Sequence, residues 1–389
     1  MELIKPGRVV DFMAMRRFWI ILSVSLVVVS AILIWKPGPK YGIDFLGGTE
    51  LTVRFDRRVE VPALRAALGR LGHPGAELVP SQEAPNQFII RVERTSSIPP
   101  ERIARYRRAV REAFGATPLQ EFRISPGGDH VIVQLGAART DTDIATVVRS
   151  AGVGVRGDRA LRVGQVEERR WQVPMVSIGD EIFNGLQREL NSSGTLQASV
   201  WVSPRAGREL RNQAVRAVLY SVVFIMIYVA FRFDLRFAPG GILALLHDAM
   251  VTLGFFIITR KEITISTVAA ILTVVGYSMN DTVIVYDRVR ENLSKRRGLR
   301  MLDVINVSVS EMFSRTIVTS TTVILSMIPF TIWGTGIIRD FAWAMIVGVV
   351  AGTYSSIYVA APLTEWIDSR YFHPGGVVAK PEQGPRKGR

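Results

Sequence analysis

Six runs of about 18 or more apolar residues, each enough to span a hydrocarbon layer of about 30 Å as a helix, dominate what this chain can fold into. They lie at 17–35, 213–231, 240–259, 263–286, 317–335 and 340–366. Only helices or closed barrels satisfy backbone polar groups in lipid, and runs of this length are helical. A hydrophobic content of 48% and a mean hydropathy of +0.23 over 389 residues agree with a membrane chain. The first run follows Arg16 and Arg17 as a signal peptide would, but it ends at Trp35-Lys-Pro-Gly with no clear small-x-small cleavage site. It reads as a retained anchor.

Orientation follows from positive charge. Arg8, Arg16 and Arg17 precede the first run, and Arg232 and Arg236 lie between the second and third. Arg288, Arg290, Lys295, Arg296, Arg297 and Arg300 join the fourth to the fifth, and Arg370, Lys380, Arg386, Lys387 and Arg389 follow the sixth. In a six-span chain these groups share one side, so both termini are expected in the cytoplasm. The expected order is a cytoplasmic N-terminus (1–16), helix 1 (17–35), an exoplasmic domain (36–210), helices 2–6 (211–366) and a disordered cytoplasmic tail (367–389). The net charge of +14 is concentrated beside apolar runs. It is read as a topology signal with affinity for anionic membrane lipid, not as a nucleic-acid surface. The chain has no cysteine and only four histidines, which excludes disulfides and Cys-ligated metal and disfavours a His-rich metal centre.

The polar stretch has the pattern of an α+β domain. Leu51–Phe55 reads as a strand, Val61–Leu71 as a helix, Ala76–Val79 and Phe88–Val92 as strands, Pro100–Phe114 as a helix and Leu119–Ile124 as a strand. That β-α-β-β-α-β order is ferredoxin-like. It repeats in strand Val131–Leu135, helix Asp141–Ala151, strands near Leu161–Val166 and Trp171–Val176, helix Ile178–Leu190 and strand Leu196–Val202. The expectation is two tandem lobes, about 41–125 and 126–205, joined at Ser125-Pro-Gly-Gly-Asp129.

Polar residues inside the spans carry the chemistry. Asp281 lies within the fourth run, where a carboxylate costs at least about 3 kcal/mol unless paired or neutralised and so marks a proton or ion site by default. Tyr277, Asp281 and Arg288 share one helix face, flanked by Asn280 and Thr273. Arg315, Thr319, Thr322 and Ser326 share a face of the fifth span, so a hydroxyl-lined file ending in an Asp281–Arg315 contact is expected. A purely structural Asp281–Arg315 pair is the alternative, and small hydroxyls are also common at ordinary helix contacts. His247-Asp248 in the third span is a second relay candidate or a packing pair. Gly47-Gly48-Thr49 is not a phosphate loop, because no Gly-Lys-Ser/Thr follows. No spacing suggests zinc or a Ser-His-Asp site, and no enzymatic activity is expected.

Tyr41-Gly-Ile-Asp-Phe-Leu-Gly-Gly-Thr49, His247-Asp248 and Gly276–Asn292 with its Asn-Asp-Thr-Val segment together resemble the SecF members of the SecD/SecF family, in the resistance-nodulation-division superfamily. The resemblance covers all six spans in order. It implies a subunit of the bacterial cell (inner) membrane that works with SecD beside the SecYEG channel, with YajC a further partner. Such a subunit uses the proton-motive force to draw unfolded preprotein across, with no cofactor and with protons, or sodium in some relatives, as coupling ion. By motif, Gly42, Ile43, Asp44, Phe45, Gly47, Gly48 and Thr49 correspond to the family's segment after helix 1. Asp281 corresponds to its essential acid, and Arg315 to its functional arginine; Tyr277, Asn280, His247, Asp248, Thr319 and Thr322 are the further relay candidates. Two departures stand out: the second lobe, where one is usual, and Ser203-Pro-Arg-Ala-Gly-Arg-Glu-Leu210 in place of a Val-Gly-Pro-x-Val-Gly-x-Glu-Leu segment. A half-transporter exporting lipid or small molecules and a structural membrane scaffold are the rival expectations.

Overall fold

The computed structural model describes residues 8–80, 86–93, 98, 100–125, 127–234, 236–296, 298–334 and 336–372. The chain begins with α1 (Arg16–Trp35), β1 (Lys40–Tyr41), α2 (Ile43–Leu46), β2 (Gly48–Phe55), α3 (Val61–Arg70), β3 (Glu77–Pro80) and β4 (Gln87–Val92). Then come α4 (Pro100–Phe114), β5 (Leu119–Ile124), β6 (His130–Leu135), α5 (Asp141–Ser150), β7 (Leu161–Arg162), β8 (Arg170–Pro174), α6 (Ile178–Leu190) and β9 (Gly194–Val202). It ends with α7 (Pro204–Arg232), α8 (Ala238–Ile258), β10 (Glu262–Ile263), α9 (Ile265–Lys295), α10 (Met301–Ile332), α11 (Gly336–Ser355) and α12 (Ala361–Ile367). Two units result: Gly42–Arg211, and Met1–Tyr41 with Asn212–Arg389.

In the helical unit, six stretches among the described residues are long and apolar enough to cross a membrane: Phe12–Trp35, Pro204–Arg232, Ala238–Ile258, Ile265–Lys295, Met301–Ile332 and Gly336–Phe372. The predicted runs fall at these helices, which overrun several of them because polar ends are also helical. The first begins in a 3-10 turn at Phe12–Met15, where Asn306 Oδ1 accepts from the Met13 N–H at 3.0 Å and Asn306 Nδ2 donates to Asp11 at 2.8 Å. The tail expected from residue 367 is helical as far as Phe372. Buried Asp368 accepts from Arg236 at 3.0 Å and fixes these turns; the rest of the proposed tail, 373–389, lies outside the described residues. A π-helical turn at Ser356–Ala360 joins α11 to α12 without a break, and a second at Asp368–Phe372 extends α12. The first leads into Pro362, whose missing N–H interrupts the ordinary ladder.

The α+β unit contains two four-stranded antiparallel sheets, ordered β3-β4-β2-β9 and β5-β6-β8-β7. The first, with α3 and α6, is a ferredoxin-like β-α-β-β-α-β unit around Leu51, Val53, Phe55, Leu64, Ile90 and Leu186. The second is a separate core around Val131, Val133, Ile144 and Trp171. Tandem lobes at 41–125 and 126–205 are therefore not what forms. α4 and β5 join the second sheet, and α6 and β9 close the first, so residues from α4 to β8 form a lobe inserted in the other. Taken from β6 through α5, β7 and β8 and then to α4 and β5, the inserted lobe has the same strand order as its host. It is a circular permutant of that host.

The cause is local. β5 and β6 pair directly, so no joint between lobes falls here: the Ser125 N–H donates to His130 O at 2.9 Å, and Ser125 donates to the Asp129 carboxylate. Short-range closure of this kind pairs β5 with its sequence neighbour before a more distant strand can compete. Burial alone would raise the Asp129 carboxyl, but hydrogen bonds from Ser125 and His130, with the His130 charge, hold it below its ordinary value.

Candidate functional site

The motif after helix 1 makes a backbone joint. Gly42 caps the single turn α2, Phe45 is buried, and Gly47 (φ +79°) and Gly48 (φ +130°) turn the chain into β2. A Cβ at Gly47 would stand 2.8 Å from Pro204, and one at Gly48 would stand 2.7 Å from Val92 O. Both glycines are thus required by close approach as well as by φ. The departing Ser203-Pro-Arg-Ala-Gly segment serves the other half of this contact. Ser203 Oγ accepts from the Ala206 N–H at 3.1 Å, Pro204 starts α7, and Gly207 packs on Phe45 and Gly47. Ile43, Asp44 and Thr49 belong to the same joint, Thr49 buried in β2.

A polar layer crosses the helical unit. In α9, residues Val274, Ser278, Asp281, Val285, Val289 and Asn292 are buried at steps of three or four. This is the packing stripe of a helix in a bundle, so Asp281 occupies a core position by periodicity. α11 can approach because Gly348 and Gly352 face Val274 and Ser278; a Cβ at Gly352 would lie 2.8 Å from the Ser278 Cβ. This small-x-x-x-small spacing brings backbones together and polar side chains with them.

Three consecutive hydroxyls of α11 then fan out to different helices. Thr353 bonds Ser320 of α10 at 2.7 Å, Tyr354 bonds His247 Nε2 of α8 at 2.6 Å, and Ser355 donates to Asp248 at 2.8 Å. Asp248 is fully buried, engages His247 Nδ1 at 2.8 Å and also accepts from Ser278. Trp19 of α1 stacks on Tyr354 and Tyr358, with centroids 5.6 and 4.9 Å away, and covers this end. Asp281 is also fully buried but poorly satisfied. Its Oδ2 accepts from Ser320 at 3.5 Å, and its Oδ1 has no hydrogen-bond partner among the described residues.

The sequence expectations meet this geometry unevenly. His247 and Asp248 are brought together and into a network. The expected contact of Asp281 with Arg315 is absent: no ion pair within 4.0 Å joins them. Ser320, not Arg315, faces Asp281, and residues five apart on a helix point about 140° away from each other. The Arg315–Thr319–Thr322–Ser326 face is exposed on this chain, and Thr319, Thr322 and Ser326 donate back to carbonyls of their own helix. The inward face is Thr316 and Ser320 instead. Tyr277 has a buried hydroxyl without a partner among the described residues, in an apolar cluster with Val274 and Met345. Asn280 and Thr273 are exposed, and Arg288 pairs with Glu291 and Glu311. Ser278, Ser320, Thr353, Tyr354 and Ser355 were missed, although the Thr353–Ser356 hydroxyl run within the sixth span was a visible signal.

Comparison with known proteins bears on the same segments. Residues 183–370 match the family described as protein export membrane protein SecD/SecF, C-terminal, and residues 32–57 match the SecD/SecF GG motif. A protein translocase subunit SecF of Koribacter versatilis is 32% identical over 416 positions, covering 100% of this chain and 98% of its own. The chain belongs to the SecF family. A SecF of Magnetococcus marinus is 33% identical, with 92% of each chain covered. The crystal structure of a translocon-associated SecDF from Thermus superimposes with a TM-score of 0.66 at 30% identity, over 95% of this chain. Only 40% of that SecDF chain is matched. The GG-motif match contains the Gly47-Gly48 joint, and the C-terminal match contains Asp248 and Asp281. As a SecF, the protein is a multi-pass membrane protein.

Proposed function

We propose that this chain is the SecF subunit of a SecDF complex that uses the proton-motive force to promote preprotein translocation and release across the bacterial inner membrane, with both termini in the cytoplasm. SecD is the natural occupant of the unmatched part of the SecDF chain; SecYEG, YajC and unfolded preprotein are the partners this reading adds. One observation supports it above others: Asp281 is buried at a core position with one oxygen unpartnered among the described residues and the other held by one long hydrogen bond. A carboxylate so weakly held favours its protonated form in lipid, and a nearby cation reverses that preference. Arg315, without an acid within 4.0 Å among the described residues, is such a cation in reserve. Approach of Arg315 would release the proton, and its retreat would favour uptake. One charge moved across 100 mV is worth about 2.3 kcal/mol, sufficient to bias a two-state element more than tenfold. Asp248, saturated with donors, is the fixed element beside it, and His247–Tyr354 is the route by which a proton would pass.

Preprotein export into membrane vesicles under an imposed proton gradient tests this, comparing the unaltered complex with Asp281→Asn at equal abundance. Loss of the gradient's stimulation with assembly intact is expected. Unchanged stimulation would sink the proposal and favour a scaffold. Stimulation by a sodium gradient instead would keep the site and replace its ion.

A further inference from the structure

We propose that a cavity lined by the charged ends of α7, α9 and α10 is a binding site for one anionic phospholipid. A cavity of about 660 Å³ is lined by Arg232, Arg288, Arg290 and Arg315 against Asp287 and Glu291, within the range of roughly 300–1,000 Å³ usual for ligand sites. Its charges are not balanced. Arg232 pairs with Asp287 at 3.1 Å, and Arg288 is shared by Glu291 and Glu311 at 2.5 and 2.6 Å. Arg290 donates only to the Arg232 carbonyl, at 3.4 Å, and Arg315 has no ion pair among the described residues. Two guanidinium groups thus face the cavity without acids, and guanidinium matches phosphate oxygens in a bidentate fork.

A second cavity, of about 380 Å³, lies further along α7 and α9. Phe224, Ile225 and Tyr228 of α7 and Gly276, Met279, Asn280 and Val283 of α9 line it, and all but the Asn280 amide and the Tyr228 hydroxyl are apolar. Tyr228 is one turn from Arg232, and Val283 adjoins Ile284, which lines the basic cavity. A groove of this kind below a basic pocket accommodates an acyl chain below a phosphate. α9 has 31 residues, or about 46 Å at the helical rise, so its charged end reaches the headgroup level beyond a hydrocarbon layer of about 30 Å. The phosphate would also hold Arg315, placing the lipid next to the residue that the proposed proton cycle moves. The binding itself does not depend on that cycle.

The test is native mass spectrometry of the full chain with its co-expressed SecD-type partner, in mild detergent, offered phosphatidylglycerol, phosphatidylcholine of the same acyl chains, or inorganic phosphate. Selective retention of one phosphatidylglycerol is expected. Arg290→Gln should weaken it about fivefold, the effect of one basic residue at an anionic surface, whereas Arg300→Gln, paired with Asp303 outside the cavity, should not. Gly276→Leu fills the groove at a position where a Cβ meets nothing within 4 Å, and it should abolish retention without altering the melting temperature. Equal retention of the two lipids would overturn the proposal. So would inorganic phosphate displacing the lipid, or lipid binding only when the partner is removed, which would make the groove a subunit contact. These readouts require no gradient, so failure of the lipid site and failure of the proton reading are distinguishable.

Discussion

Asp248 and Asp281 are both removed from solvent, yet one meets three side-chain donors or ring nitrogens and the other a single distant hydroxyl. Fully satisfied polar groups rigidify a core, and unsatisfied ones are costly enough to be kept for a purpose. Outside the membrane helices, Asp129 shows the same chemistry in a form open to titration. Its carboxyl is held below the ordinary value of 3.8, the net of opposing burial and of bonds from Ser125 and His130. A depressed folded value means stability that is present above the unfolded value and lost as pH falls through the folded one. Melting of the chain between pH 6 and 3 is therefore expected to lose a component that Asp129→Asn lacks; parallel profiles for the two proteins would refute it. At this scale the sequence made Asp281 legible, because a lone acid in an apolar run is rare. The hydroxyls around it were not, since serine and threonine are ordinary in membrane helices and their partners depend on interhelical register.

Between helices, the decisive contact is α9 against α11. Gly348 and Gly352 allow the close approach that lets Thr353, Tyr354 and Ser355 reach three partners, so the polar layer is a product of packing. Gly352→Leu would drive a side chain into Ser278 and part these helices, at a cost of about 1–3 kcal/mol for overpacking. The expected result is a lower melting temperature in detergent, with Gly276→Leu, on the α7 side of α9, close to the unaltered chain. Equal melting of both variants would contradict the contact. Helix positions were readable from apolar runs, and their faces only partly. The Arg315–Thr319–Thr322–Ser326 stripe is regular, yet it faces outward, because hydroxyls that bond their own helix need no partner and burial goes to the face carrying Thr316 and Ser320.

In the chain as a whole, the main revision concerns who pairs with whom. The strands and helices of both sheets were visible as periodic segments, although β7 shrinks to two residues and the single turn α2 was not read. Ownership was not, because a helix-strand pair such as α4–β5 has the same pattern whichever sheet it completes. With the lobes nested, the excision that respects the fold is 94–175, not a cut at Ser125. Replacing that stretch by a short Gly/Ser linker should leave β2, β3, β4, β9, α3 and α6 as a protease-resistant core, while exposing Trp201, which packs on Gly127. Complete proteolysis of the remainder at concentrations the full chain resists would show that the host cannot stand without its guest.

Nesting also sets an order of events during synthesis. β2 emerges early, but its partner β9 joins it through pairs such as Thr49 with Trp201 and Phe55 with Gly194, at the far end of the unit. The inserted lobe closes on contacts much nearer in sequence, and short-range closure is the faster process. The host therefore waits, one sheet edge open, while its guest is already complete. During that interval β2 is an exposed edge available to any other unpaired strand.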